Sequence, residues 1–154
     1  MRTGDIEGGI HVKREYPASP VAGVAAVVFR GSEVLLVRRG NEPSKGKLGI
    51  PGGVVELGET AEEAVVREVE EETGIRVKPL RVLDVLDSIE RDDEGGIRFH
   101  YVLLEFLCEP IGGNLNASSD VSEALWAPLK GLGELDVMPR TRAFIERVAR
   151  EENL

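Results

Sequence analysis

Apolar residues run from Val21 to Phe29 with only Gly23 between them. Bounded by Pro20 and by an Arg30-Gly31-Ser32 turn, this run predicts a buried strand. Glu33 to Arg39 predicts a second strand, apolar at Val34, Leu35, Leu36 and Val37. A polar loop over Gly40 to Lys47 comes next, and then a Gly-rich stretch from Ile50 to Gly58. There the period changes. Ala61, Ala64, Val65 and Val69 recur at helical spacing and predict a helix over about Ala61 to Glu72.

Leu80 to Ile89 and Ile97 to Cys108 read as the two strands of a hairpin, with a charged tip over Arg91 to Gly96. Ile111 to Ala124 reads as loop, and Leu125 to Ala127 as a short extended piece stopped by Pro128. A last helix, about Arg140 to Glu151, carries Phe144, Ile145 and Val148 on one face. Residues 1–20, punctuated by Gly and Pro, form an extended lead-in. In it Ile10, Val12 and Tyr16 share one strand face, which suits a sheet edge that a second copy of the chain would cover. There is no internal repeat, linker or low-complexity tract. The expectation is one mixed α/β domain over residues 1–154, working as a homodimer.

The central helix has clear ends. Thr60 is a good N-cap, Glu63 three residues later completes a capping box, and Gly74 supplies the left-handed stop. Its charges are less ordinary. At about 100° per residue, Glu68 and Glu72 fall in the same arc as Ala61, Ala64, Val65 and Val69, the face that packs on a sheet. Glu71 and Glu62 lie just outside that arc, and Glu70 points to solvent. Like carboxylates one turn apart on a partly buried face repel, and desolvation adds to the cost. A divalent cation removes both problems. Oxygen ligands with room for waters and phosphates suit Mg²⁺ or Mn²⁺, and no His or Cys accompanies them to favour zinc.

Composition narrows the picture. A hydrophobic share of 42% excludes a disordered chain. No apolar run is long enough for a membrane span, and Met1 to Lys13 holds no apolar signal core. The single cysteine, Cys108, forms no internal disulfide, so a reducing cytoplasm is the expected compartment. The net charge of −9 repels a nucleic-acid backbone. A small anionic substrate remains open to a site with its own cations.

Gly53 to Ile75 reads GVVELGETAEEAVVREVEEETGI. This resembles the Nudix box: Gly, five residues, Glu, seven residues, then Arg-Glu-apolar-any-Glu-Glu-any-Gly-apolar. The matching places are Gly53, Glu59, Arg67, Glu68, Val69, Glu71, Glu72, Gly74 and Ile75, every one filled. The resemblance implies an α/β/α sandwich with a mixed, partly antiparallel sheet. It also implies a hydrolase that splits a nucleoside diphosphate derivative at its pyrophosphate, using Mg²⁺ or Mn²⁺. Glu68, Glu71 and Glu72 would bind metal, joined by the carbonyl of Gly52, while Gly52 and Gly53 let backbone approach metal and phosphate closely. Arg67 and Glu59 would pair and hold the loop against the helix.

Beyond the box, the resemblance puts Arg39 at a phosphate, with Arg38 beside it on the opposite face of the strand. An additional acid from the loop before Trp126, Asp120 or Glu123, would serve as general base or metal ligand. His100 reads as a structural histidine, Trp126 as packing and Cys108 as a small core or surface residue. Leu48 stands where many relatives carry a Trp, which removes base stacking there. The side markers of ADP-ribose and of diadenosine polyphosphate enzymes are both absent from Glu90-Arg91-Asp92-Asp93. The general look is nearest to small prokaryotic members assigned to ADP-ribose, giving AMP and ribose 5-phosphate. The alternatives are a nucleoside triphosphate pyrophosphohydrolase and, in another class, a regulatory Nudix domain that binds nucleotide without turnover.

Overall fold

The computed structural model describes residues 13–42, 44–116 and 121–154. Strands β1 (Val21–Arg30) and β2 (Glu33–Arg39) form where the two apolar runs predict them. β3 (Leu48–Gly49) and β4 (Gly52–Val54) are short pieces on either side of Ile50-Pro51, too short for a period to reveal. Helix α1 (Ala61–Thr73) leads into β5 (Ile75–Arg91), β6 (Ile97–Gly113) and β7 (Val121–Pro128). A 3-10 turn over Leu129–Glu134 precedes helix α2 (Pro139–Glu151). The sheet runs β3-β2-β1-β6-β5, with β4 added to β1 and β7 to β2. The β1–β6 pair is parallel, and β1–β2, β1–β4, β2–β3, β2–β7 and β5–β6 are antiparallel. Helices cover both faces of this mixed sheet, as the resemblance implies.

The two faces hold two cores. α1 brings Ala64, Val65 and Val69 onto Val24, Ala26 and Val28 of β1, with Leu35, Phe106 and Cys108 alongside. α2 brings Phe144, Ile145 and Val148 onto Val27, Val34, Leu36 and Leu107. Each fully buried Val or Leu contributes about 1.5–3 kcal/mol, so the helices are held chiefly by these faces. Glu105 is buried on the α2 side and takes a two-point ion pair from Arg140 at 3.0 and 3.2 Å. Leu48 is also core on that side, which explains an apolar residue rather than a stacking ring at its position.

The hairpin is longer than its apolar pattern. The expected strand starts at Leu80, yet β5 begins at Ile75 and runs through Pro79. β5 is an edge strand, and its register shifts between Pro79 and Arg81. A missing N–H is tolerated at such a bulge on an edge. The tip is organised by Asp92, whose carboxylate accepts the N–H of Glu94 at 3.0 Å and of Gly96 at 2.7 Å.

Two strands share one edge of β1. β1 pairs with β2 only at their common turn, Phe29 with Val34 and Arg30 with Glu33. Toward Val21 the place of β2 beside β1 is taken by β4, through Ala25–Gly52 and Gly23–Val54. β2, with β3 and β7, therefore splays away from β1, and the splay opens at the end where β1 begins and β2 finishes.

Candidate active site

The capping box predicted from Thr60 and Glu63 is present. Thr60 Oγ1 accepts the Glu63 N–H at 3.1 Å and Glu63 Oε1 accepts the Thr60 N–H at 2.9 Å. Gly74 closes the helix with φ 79° and donates its N–H to the Glu70 carbonyl at 2.8 Å. These caps fix the ends of α1, and its apolar face of Ala64, Val65 and Val69 fixes its rotation and hence the direction of its glutamates.

The alternation of the β1–β4 ladder decides what those glutamates meet. The Val55 N–H donates to the Ala22 carbonyl and the Ala26 N–H to the Pro51 carbonyl. In an antiparallel pair, hydrogen-bonded positions alternate with positions whose N–H and C=O face outward. Gly52 and Val54 are the outward positions. Glu72 Oε1 accepts the Gly52 N–H at 2.9 Å, and Glu68 Oε2 accepts the Val54 N–H at 3.0 Å. The Val54 carbonyl accepts from Arg67 Nη2 at 3.0 Å. The remaining outward group, the Gly52 carbonyl, faces the same side as the two carboxylates.

The glycines are steric requirements here. A Cβ on Gly53 would overlap the Glu68 carboxylate, and one on Gly52 would overlap the Val24 carbonyl. The sequence motif is thus a close contact between a strand backbone and a helix face.

Arg67 ties this arrangement together. Its Nε and Nη2 grip Glu59 at 2.7 and 2.9 Å, the two-point geometry that makes such pairs strong. The same guanidinium lies 3.2 Å from Glu56, 3.3 Å from Glu71 and 3.6 Å from Glu68. Hydrogen bonding to Glu59 holds the Arg67 guanidinium more firmly protonated than usual, against the opposing effect of its partial burial. In return Arg67 holds the Glu59 carboxyl below the ordinary carboxylate range. Glu68 shifts the other way. Burial raises its pKa, Arg67 opposes this, and neighbouring Glu71 adds to it. Its side chain is only 12% exposed, whereas that of Glu71 is 55% exposed.

The donor set of Glu68, Glu72, Glu71 and the Gly52 carbonyl is all hard oxygen, which fits a divalent cation of the Mg²⁺ class. Among the described residues no three His, Cys, Asp or Glu side chains already converge into a cage. The carboxylates of Glu68 and Glu72 rest instead on backbone amides.

The other sequence-predicted residues are spread over both faces of the sheet. Arg38 Nε donates to Glu123 Oε1 at 3.0 Å across the β2–β7 pair, and Arg38 Nη1 donates to the Gly46 carbonyl at 3.0 Å. By strand alternation from Leu36 and Leu125, both of the α2-side core, Arg38 and Glu123 share that face at the open end of the splay. Arg39 takes the opposite face, beyond a register shift between Arg38 and Arg39. Asp120 lies outside the described residues, as do Ile10 and Val12. Trp126 packs on the α1-side core with the Arg30 guanidinium 4.3 Å above its ring. Burial pushes the Cys108 thiol up to about 12, so it carries no nucleophile.

Two residues near the site escaped the sequence reading. Tyr101, opposite Val21 at the start of β1, is close enough to Arg14 and Arg39 for both cations to act on its hydroxyl. Arg14 also acts on the Glu68 carboxylate. Neither residue belongs to a periodic pattern that would have marked it.

Comparison with known proteins agrees with this geometry. The NUDIX domain family model matches residues 19–148. The chain is 41% identical over 116 residues to an ADP-ribose pyrophosphatase of Methanocaldococcus jannaschii, covering 75% of this chain and 66% of that protein. It is 33% identical over 113 residues to an 8-oxo-dGDP phosphatase of Homo sapiens, covering 71% of this chain and 32% of the human protein. Among solved structures, a MutT NUDIX hydrolase from Burkholderia pseudomallei superposes with a TM-score of 0.72 at 31% identity, over 84% of this chain and 98% of that one. The chain spans between about a third and two thirds of the length of the first curated relatives it matches.

Proposed function

The chain belongs to the Nudix family, and from that premise we propose that it is a Mg²⁺-dependent pyrophosphohydrolase whose substrate is ADP-ribose, cleaved to AMP and ribose 5-phosphate. The observation that carries the reading is the contact of Glu68 and Glu72 with β4, which leaves the Gly52 carbonyl on the side of both carboxylates. Glu68, Glu72 and Glu71 with that carbonyl would hold the ion, with Mn²⁺ as a substitute. A bound divalent cation would polarise a phosphoryl oxygen and lower the pKa of a water.

The remaining roles belong to the chain itself. Arg67 and Glu59 set the distance between the Gly-rich loop and α1. Gly53 admits the Glu68 carboxylate beside the backbone. Arg39, on the α1 side of β2, offers a cation to substrate phosphate, with Arg38 as the second candidate. The proton acceptor is Glu123 of β7, at the open end of the splay, once released from Arg38, or Asp120, three residues earlier in the sequence, with Glu71 in reserve. The retention of every box glutamate stands against a regulatory domain without turnover. The likeness to a MutT NUDIX hydrolase and to the "Putative 8-oxo-dGTP diphosphatase 2" of Mycobacterium tuberculosis supports a second reading, a nucleoside triphosphate pyrophosphohydrolase.

The same reading proposes one Nudix domain over residues 1–154, a homodimer in solution and a cytoplasmic setting, the last in keeping with a buried free thiol at Cys108. No described helix is long and apolar enough to cross a membrane. A substrate panel in Mg²⁺, with EDTA controls, tests the activity. AMP and ribose 5-phosphate from ADP-ribose uphold the first reading. Nucleoside monophosphate and pyrophosphate from a triphosphate, with ADP-ribose untouched, would replace it with the second.

A further inference from the structure

Beside the proposed ion site the sheet is divided into two halves. β2, β3 and β7 form one half, which carries Arg38, Arg39 and Glu123. β1, β4, β5 and β6 form the other, and with α1 it carries Gly52, Glu68, Glu71 and Glu72. Among the described residues, strand pairing joins the halves only at Phe29–Val34 and Arg30–Glu33, at the closed end of the splay.

The first turn of α2 crosses the open part of this gap. On the β3 side, the Met138 N–H donates to the Leu48 carbonyl at 3.2 Å, and the Leu48 N–H donates to the Asp136 carbonyl at 2.9 Å. The Met138 side chain sits so close to Gly49 that a Cβ there would lie 2.8 Å from its Cε. Two residues on, Arg140 Nη1 and Nη2 donate to Glu105 Oε2 and Oε1 at 3.2 and 3.0 Å. Glu105 belongs to β6 and lies opposite Ala25, which on its other side faces Gly52. Between the two attachments stands Pro139, whose ring fixes its own φ and holds the preceding residue out of the helical region, so the bridge is short and stiff.

Further along, α2 is held to both halves by the apolar packing of Phe144, Ile145 and Val148. That packing accounts for a stable helix, but not for a carboxylate at position 105. Glu105 is 2% exposed, and the Arg140 guanidinium takes both of its oxygens. A buried ion pair adds little stability over well-packed apolar residues, so what this one contributes is direction. Two parallel N–H···O bonds fix an angle as well as a distance, which is what a site built from two halves requires.

We propose that Arg140 is a positioning residue: through Glu105 it clasps the first turn of α2 to β6, and so sets the spacing between the half that carries Arg39 and Glu123 and the half that would hold the ion. The inference rests on the pyrophosphohydrolase reading for its effect on rate, while the clasp itself can be tested without turnover.

Arg140→Ala alone leaves Glu105 buried without its partner, and should lower Tm. Arg140→Ala combined with Glu105→Leu removes that charge, and Tm should return close to wild type. Its kcat/KM for ADP-ribose should nevertheless stay at least about tenfold below wild type, because the substrate must engage both halves in register. Mg²⁺ affinity should remain within about twofold, since the proposed ligands all lie in one half. Arg140→Lys, which keeps one point of contact, should lose less activity than Arg140→Ala. Hydrogen exchange reads the clasp directly: in the double variant the Leu48 and Met138 amides should exchange at least about tenfold faster, while those of the β1–β6 ladder keep their rates. Activity that recovers together with Tm in the double variant would overturn the proposal and leave the pair a structural brace. So would a Mg²⁺ affinity that falls in step with kcat/KM, or unchanged exchange at Leu48 and Met138. If the wild type cleaves a nucleoside triphosphate but not ADP-ribose, only the substrate reading fails, and kcat/KM for that triphosphate is judged by the same criteria. If it cleaves neither, the exchange rates decide.

Discussion

The Glu72 carboxylate accepts the Gly52 N–H at 2.9 Å across twenty residues of chain. One helix side chain thereby fixes the strand whose carbonyl completes the proposed metal site. Glu72→Gln keeps an oxygen for this bond but loses the charge. The fold should persist, while activity and Mg²⁺ affinity fall at least about tenfold to a hundredfold. Circular dichroism with a Mg²⁺ titration of the rate checks this. Full activity in Glu72→Gln, or a rate indifferent to EDTA, would remove the site assignment.

Gly53→Ala is the steric counterpart. The added Cβ would overlap the Glu68 carboxylate, so the side chain must leave its bond to the Val54 N–H. Overpacking of this kind costs about 1–3 kcal/mol. The expected result is a modestly lower Tm with activity reduced far beyond what that loss explains.

The Arg67–Glu59 pair is partly shielded, with side chains 26% and 15% exposed. Replacing either residue should lower activity by displacing the Gly-rich loop, and the double variant should lose less than the sum of the singles. The pairing has a pH signature. Because Arg67 depresses the Glu59 carboxyl, its contribution to stability is complete above the ordinary value of 4.5 and fades as pH falls through the lower folded value. A denaturation series of wild type against Glu59→Gln should therefore show a gap that is steady above about pH 5 and closes in acid.

Much of this was legible in the sequence because it depends on local rules. Thr60, Glu63 and Gly74 set the ends of α1, and the apolar arc sets its rotation, so Glu68 and Glu72 had to meet the sheet. What those carboxylates touch was not legible. It depends on which backbone groups of β4 face outward, a property of register with β1 rather than of residue type. The early start of β5 was hidden for a similar reason, since Pro79 is tolerated there only because β5 is an edge strand with a bulge at that point. The fastening of Glu15 and Tyr16 to the hairpin was hidden because their partners, Arg98 and Asp92, are more than seventy residues away.

Cys108 offers a check on the core beneath α1. It is 2% exposed, and burial has pushed its thiol up to about 12. Only about one thiol in ten thousand is ionised at pH 8, and that one is out of reach. The native protein should leave Ellman's reagent nearly uncoloured, with one thiol per chain appearing on unfolding in guanidinium. Rapid native labelling would mean that the α1 face opens far more readily than its packing implies.

The last prediction concerns Arg38 and Glu123. They meet at 3.0 Å across β2 and β7, with side chains 35% and 48% exposed. At that exposure the pair is worth no more than about 1 kcal/mol, so a bound substrate can part them at little cost. If Glu123 then accepts the proton of the attacking water, Glu123→Gln lowers kcat at least tenfold, given the roughly 10² to 10⁴ attached to a general base, with Mg²⁺ affinity unchanged. Arg38→Ala frees the same carboxylate and leaves kcat near wild type. If the pair is only a brace between strands, the two variants lose the same small amount of stability and neither changes kcat by more than about threefold. Asp120→Asn is measured beside them, as the other candidate acid of that stretch of the sequence. Near-normal rates in all three would transfer the proton to Glu71, whose carboxylate is half exposed at the end of α1 and held by Arg67 only at 3.3 Å. Loss of metal affinity in step with rate in Glu123→Gln would make that residue a ligand, and the proton acceptor would again be sought on α1.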